Sequence, residues 1–281
     1  LLTIEVGAIQ AGLDLANGPL LQGALFHMPE GDRLFISSHH LIMDTLSMQI
    51  LLEDFQALYL QRRNGQPAEL PAKTDSYQKW AATLQTYADK GISKKEIGYW
   101  ELLARKEIKY LSNPADRAGF KSSDYGLVSA SLPESVSHAL KIGVHEYLGT
   151  EVNDLLLLGL QQAYQRVFGS EDLLIALEGH GREEIVEVNI TRTMGWFASI
   201  YPVLLSVDAD LTAIDQVRVV KDTLSKVPNK GMGYGILRYL SDQYSDDHPI
   251  ANLNPEVFFE YEGDLTAVDT NESFKLASES T

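Results

Sequence analysis

The stretch SSHHLIMDTLSMQILLEDF, residues 37–55, changes its periodicity halfway along, and that change decides how the chain is read. After Asp44 the apolar residues Leu46, Ile50, Leu51, Phe55, Leu58 and Tyr59 recur at helical spacing, with Glu53, Asp54 and Gln56 on other faces. The spacing predicts a helix from about Thr45 to Arg62, capped at its N-terminus by Asp44 or Thr45. Before it, RLFISSHH reads as a strand paired with LLQGALFHM across the polar turn PEGD. Two histidines therefore stand at a strand end and a carboxylate at a helix start. Strand ends and helix starts are where folds present side chains to ligands. In an extended chain neighbouring side chains point to opposite faces, so His39 and His40 cannot both address one pocket.

The rest of the chain repeats this alternation. Helical segments are predicted around Trp80 and Trp100, then over PESVSHALKIGVHEYLG, EVNDLLLLGLQQAYQRVFG and AIDQVRVVKDTLSKV. Strands are predicted at DLLIALEG, YPVLLSV and EVFFEYEG. SNPADRAGFKSSDYG reads as a linker, and the tail NESFKLASEST as poorly ordered. Helices laid on mixed strands give an α/β or α+β class in two lobes, and 281 residues leave room for both. The expected division is an N-terminal lobe over residues 1–120 and a C-terminal lobe over 121–281.

Composition removes several functions. With 44% hydrophobic and 9% aromatic residues the chain is an ordinary globular protein. Its 39 acidic and 23 basic residues give a net charge of −16, which repels phosphate backbones and anionic lipid surfaces, so neither nucleic acid nor membrane is an expected partner. There is no cysteine, which excludes disulfides, thiolate nucleophiles and cysteine-ligated metals. The longest apolar run, LLLLGL at 155–160, is too short to span a bilayer, and a cytoplasmic location is expected.

Further stretches carry chemistry-bearing residues. LEGHGREE, residues 177–184, sets Glu178, His180, Arg182, Glu183 and Glu184 around two glycines after an apolar strand. TRTMGWFASIYPV, residues 191–203, puts Arg192 before a Gly–aromatic pair, where arginine suits a carboxylate or phosphate partner. VPNKGMGYGILRYL, residues 227–240, fits neither the Walker nor the G-x-G-x-x-G spacing, and reads as a Gly-rich turn leading into a helix at ILRYL. HHxxxD lacks the histidine pair of a zinc-binding HExxH helix and a third ligand, so no metal is expected.

In this order HHLIMD, EGHGRE, TRTMGWF, PNKGMGYG and FEYEG resemble the successive signature motifs of epimerization domains of nonribosomal peptide synthetases, in the condensation-domain superfamily. In that family HHxxxDG is shared by the whole superfamily, whereas EGHGRE and GxGYG are far more specific to epimerization domains. The resemblance implies two chloramphenicol-acetyltransferase-like lobes forming a V with a tunnel between them. It also implies inversion of the α-carbon of an aminoacyl or peptidyl thioester on the phosphopantetheine arm of a peptidyl carrier domain. His40 corresponds to the catalytic histidine, Glu178 to its acid/base partner and Tyr261 to the tyrosine of FNYLG bordering the site. His39, Asp44, His180, Arg182 and Arg192 are implied as structural support. The domain is expected to bind no cofactor of its own, the phosphopantetheine coming with the carrier, and neighbouring synthetase domains are the other implied partners.

The sequence departs from the pattern in Thr45, which replaces the motif's glycine, and in Glu260 and Glu262, which replace asparagine and leucine beside Tyr261. Against a full domain of the family the chain is expected to be truncated at both ends. The alternatives are a condensation domain forming the peptide bond, a catalytically silent carrier-docking relative, and an acyltransferase using free coenzyme A.

Overall fold

In the computed structural model β1 (Leu21–Phe26) and β2 (Arg33–Ser38) form an antiparallel hairpin in which Leu21 faces Ser38 and Phe26 faces Arg33. The described residues are 2–111, 126–143, 148–241, 248–263, 274, 275 and 277. The lobe boundary expected at 120/121, nearly all of the linker SNPADRAGFKSSDYG and most of the tail fall outside them. The described residues divide into two compact units. The first draws on Leu1–Leu84, His180–Ala198 and Glu262–Thr281, the second on Gln85–Gly179 and Ser199–Tyr261.

The first unit contains α1 (Leu2–Ala11), the hairpin, α2 (Thr45–Arg63) and the start of α3 (Tyr77–Lys90). The helix anticipated after Asp44 is present, and Asp44 rather than Thr45 is its cap: the Ser47 backbone N–H donates to Oδ1 of Asp44 at 2.7 Å. Thr45 is the first helical residue and is exposed. α1 was not anticipated, and it buries none of its residues, so its sequence carries no apolar stripe to read. Met43, Ile50, Trp80, Ile190 and Phe197 are buried in this unit. Phe197 packs edge-on to Trp80, with ring centroids 4.8 Å apart, and to Tyr77 at 5.1 Å.

In the second unit β3 (Asp172–Gly179) is the middle strand of a sheet ordered β4-β3-β5. It pairs antiparallel with β4 (Ser199–Ser206), Glu178 opposite Ile200, and parallel with β5 (Val257–Phe259), Leu177 opposite Phe259. A strand paired on both edges and covered on both faces reads as an unbroken apolar run, and Leu173, Leu174, Ile175 and Leu177 are all buried. α4 (Lys94–Ala104), α6 (Val152–Phe168) and α7 (Ala213–Ser225) contribute Trp100, Leu157, Val217 and Val220 to the same core. α6 starts on a capping box between Glu151 and Asp154 and stops at Gly169, whose φ of 68° is the left-handed C-terminal conformation. The helix expected over PESVSHALKIGVHEYLG is a five-residue α5 (Glu134–His138) passing into a π turn at Ala139–Gly143, and residues 144–147 of it lie outside the described residues. The strand expected over EVFFEYEG is confined to β5, and Tyr261 follows it in irregular chain.

One expectation is corrected. The glycines of GMGYG do not form a turn that precedes a helix at Ile236; α8 (Met232–Tyr239) begins four residues earlier and contains Gly233 and Gly235. Glycine is a poor helix former, which is why the stretch reads as a turn. Packing overrides propensity here, because a Cβ on Gly233 would stand 1.8 Å from Oε1 of Glu96. Gly231, with φ of 84°, is the helix N-cap, and a Cβ there would lie 2.0 Å from the Tyr201 ring.

Candidate active site

The first unit holds a cluster of candidate residues around Asp44. Its carboxylate is a helix cap, and it also accepts from Arg182 Nη2 at 3.1 and 3.3 Å and from the Phe197 backbone N–H at 3.2 Å. Arg182 is equally committed. Nη1 donates to the carbonyls of Ile190 (2.9 Å) and Thr193 (2.7 Å), Nη2 also reaches Ser47 Oγ (2.9 Å), and the guanidinium lies 4.0 Å over the Phe197 ring. The side chains of Arg182 and Asp44 are 5% and 9% exposed, so this is a buried ion pair with its hydrogen-bonding capacity nearly filled. Ser47 closes the arrangement: its hydroxyl donates to the Gly195 carbonyl at 3.0 Å and accepts from the Gly195 N–H at 3.1 Å. The outcome is that EGHGRE, TRTMGWF and HHLIMD are tied together through buried polar contacts.

The histidines sit on top of this brace. His39 follows β2 and caps a short 3₁₀ turn, His40–Ile42, with Nδ1 accepting from the Leu41 N–H at 3.1 Å. That bond holds Nδ1 as an acceptor and gives His39 a structural task. His40 is exposed, and its ring meets Trp196 nearly perpendicularly, centroids 5.1 Å apart and planes at 82°. Arg192 bridges Glu53 and Asp54 of α2 at 3.0 and 2.5 Å, and hydrogen bonds to both carboxylates hold its proton more firmly than in a free side chain. His180 accepts from the Arg182 N–H at 3.0 Å and lies 3.1 Å from Glu183 Oε1.

Glu178 and Tyr261 belong to the second unit. Leu177 and Phe259 are partners in parallel register, so Glu178, the last residue but one of β3, and Tyr261, just past the end of β5, lie at the same end of the sheet. That edge of a sheet is the usual place for ligand-contacting residues in α/β folds. Beside it lies the turn of PNKGMGYG, whose Asn229 and Lys230 are both left-handed at φ 46°. A Cβ on Gly179 would stand 3.7 Å from the Lys230 carbonyl oxygen, which places this turn against the end of β3.

That turn rests on a residue the sequence reading passed over. Glu96 is 1% exposed, and its Oε2 accepts from Asn229 Nδ2 at 2.9 Å and from the Tyr87 hydroxyl at 3.4 Å. Burial pushes its carboxyl above the ordinary value, against the opposing pull of those two donors. In sequence, Ser93 and Glu96 look only like a helix-capping pair. The Ser93 hydroxyl does accept from the Glu96 N–H, while the Glu96 side chain turns inward. Ser47 and Trp196 were also passed over, since their partners lie more than a hundred residues away.

Fold and side chains define a class: a mixed α/β domain with a histidine after a hairpin strand, an Asp–Arg brace in the same unit, and a glutamate at the carboxyl end of the middle strand of a second sheet. The family model "Condensation domain" matches residues 5–280, and the chain belongs to that family. Its relatives are nonribosomal peptide synthetases. It is 36% identical over 267 residues to bacitracin synthase 2 of Bacillus licheniformis, covering 95% of this chain and 10% of that one. It is 37% identical over 274 residues to tyrocidine synthase 1 of Brevibacillus parabrevis, covering 96% of this chain and 25% of that one. Among solved structures it matches the epimerization domain from the third module of tyrocidine synthetase B at 39% identity and a TM-score of 0.83, over 92% of this chain and 58% of that chain. The first condensation domain of the calcium-dependent antibiotic synthetase shares the fold, at 21% identity and a TM-score of 0.57, over 75% of this chain and 46% of that one. The chain thus spans a small part of the curated synthetases and somewhat over half of the epimerization domain's chain. No described helix is long and apolar enough to cross a membrane.

Proposed function

We propose that this chain carries out epimerization: inversion of the α-carbon of an aminoacyl or peptidyl thioester held on the phosphopantetheine of a peptidyl carrier domain. The observation that carries this reading is the likeness to an epimerization domain, 39% identical at a TM-score of 0.83, against 21% and 0.57 for a condensation domain. EGHGRE and GMGYG support it on the level of motif.

The chemistry asks little beyond the side chains already named. A thioester carbonyl acidifies the neighbouring C–H, and inversion requires one group to take the proton from one face and another to deliver a proton to the opposite face. His40 and Glu178 are the proposed pair, with Tyr261 bordering the reacting carbon. The intermediate is an enolate, and its oxygen is stabilised by a hydrogen-bond donor, either a backbone N–H or His40 when protonated. Asp44, Arg182, His39, His180 and Arg192 act as support. On this reading the domain binds no cofactor of its own; the phosphopantetheine belongs to the carrier, and other synthetase domains flank it.

The test is chiral analysis of a carrier loaded with an L-aminoacyl group after incubation with the chain. Conversion toward an L/D mixture is expected. Peptide-bond formation between two loaded carriers without inversion would assign the chain to condensation instead.

A further inference from the structure

The catalytic role proposed for His40 leaves open what holds its ring. Asp44, the carboxylate of the same motif, is fully engaged elsewhere by Ser47, Arg182 and Phe197. Among the described residues the His40 imidazole has no hydrogen-bond or ion-pair partner; its neighbour is the Trp196 indole, edge-on at 5.1 Å. An exposed imidazole with two free side-chain torsions samples several rotamers unless something restrains it.

The segment carrying Trp196 is the opposite case. Gly195 is fixed at both backbone groups by Ser47 Oγ, and its carbonyl also accepts from the Asp44 N–H at 3.1 Å. The Trp196 carbonyl accepts from the Tyr77 hydroxyl at 2.8 Å, and the next N–H, that of Phe197, goes to Asp44. The Phe197 ring packs against both the Arg182 guanidinium and the Trp80 ring. Burial, then the Asp44 charge, keeps the Tyr77 phenol protonated to higher pH than usual, so it remains a donor to that carbonyl. Every backbone anchor on either side of Trp196 is in place, and its side chain is what this rigid segment projects toward His40.

We propose that Trp196 is the positioning residue for His40: an indole held by the Asp44–Ser47–Arg182 brace sets the orientation of the exposed imidazole through an edge-to-face contact. The brace thereby acts on the histidine indirectly, through the GWF segment, rather than by an Asp–His hydrogen bond. Perpendicular aromatic pairs favour one relative orientation because ring edges and faces carry opposite partial charge. The inference rests on the reading of His40 as the catalytic histidine for its functional consequence, but not for the geometry.

The experiment separates the two. In the 281-residue chain carrying ¹³C-labelled histidine, the His40 imidazole signal is identified by its loss in His40→Gln. Trp196→Leu is expected to remove the indole ring-current shift from that signal alone, with the other histidine signals and the thermal unfolding midpoint little changed. In the α-deuterium exchange assay on a loaded carrier, Trp196→Leu is expected to lower kcat by about 10²-fold with KM unchanged, the scale of a catalytic group displaced by about 1 Å. Trp196→Phe, which keeps an edge-to-face partner, is expected to recover most of that loss. An unmoved His40 signal in Trp196→Leu overturns the inference. So does a raised KM at constant kcat, which would make Trp196 a substrate contact. If the parent chain exchanges no deuterium at all, the proposed function fails, and the imidazole signal alone decides the positioning role.

Discussion

Replacing Arg182 by leucine tests the brace where its energetics are most sharply defined. The guanidinium loses contacts to two carboxylate oxygens of Asp44 at 3.1 and 3.3 Å, to the Ile190 and Thr193 carbonyls at 2.9 and 2.7 Å, and to Ser47 Oγ at 2.9 Å. Removing one member of a buried ion pair costs about 3–5 kcal/mol, since the other charge is left without compensation. Asp44 keeps two backbone donors, from Ser47 and Phe197, which places the expected loss at the lower end, about 3 kcal/mol. Urea unfolding followed by tryptophan fluorescence reads this, because Trp80 and Trp196 belong to the same unit as the pair. Adding Asp44→Asn to Arg182→Leu removes the stranded charge, so the double variant is expected to be more stable than the sum of the two single losses, by roughly 0.5–3 kcal/mol of coupling. A loss for Arg182→Leu below about 1 kcal/mol, the range of exposed pairs, or strict additivity in the double variant, would refute the reasoning.

Two further outcomes concern the second unit. Glu96 holds its proton more tightly folded than unfolded, because burial disfavours the carboxylate; the folded state therefore binds more protons at this group, and its contribution to stability falls as pH rises from the ordinary value of 4.5 through the raised folded value. Glu96→Gln removes that contribution, so the stability of the variant relative to the parent is expected to improve toward higher pH across that window; a parallel pair of stability–pH curves would contradict this. Gly231→Ala places a Cβ 2.0 Å from the Tyr201 ring at a φ of 84° and is expected to lower the unfolding free energy by at least about 1–3 kcal/mol, the cost of such backbone strain alone; a change within about 0.5 kcal/mol, measured by urea unfolding, would count against the packing described.

How much of this was legible in the sequence follows from the range of each interaction. The hairpin, α2 and a cap at Asp44 or Thr45 are local, set by a period of two, a period near 3.6 and capping side chains at the helix start, and all can be read along the chain; the choice of Asp44 comes from the structure. β3 is legible for a similar reason, as a short apolar run ending in a charged Gly-containing turn. What could not be read spans the chain. Asp44 and Arg182 are 138 residues apart, Ser47 and Gly195 148, and nothing in either stretch names the other. Gly233 shows the same limit from the other side: its helix-breaking tendency is visible, whereas the Glu96 carboxyl that demands a glycine there is contributed by α4. His40, Glu178 and Tyr261 were reached through motif likeness rather than through spacing.

The most direct test of the central claim is the loss of α-deuterium from an L-aminoacyl carrier, compared between the parent chain and Glu178→Gln. Glutamine keeps the size and polarity of the side chain and removes its titrating proton, and general acid–base contributions of this kind are worth about 10²–10⁴-fold in rate. The expected result is deuterium release with L-to-D conversion in the parent and net inversion reduced by about that factor in Glu178→Gln, with carrier binding retained. Interconversion of L- and D-thioesters by Glu178→Gln at close to the parental rate would contradict epimerization by this pair.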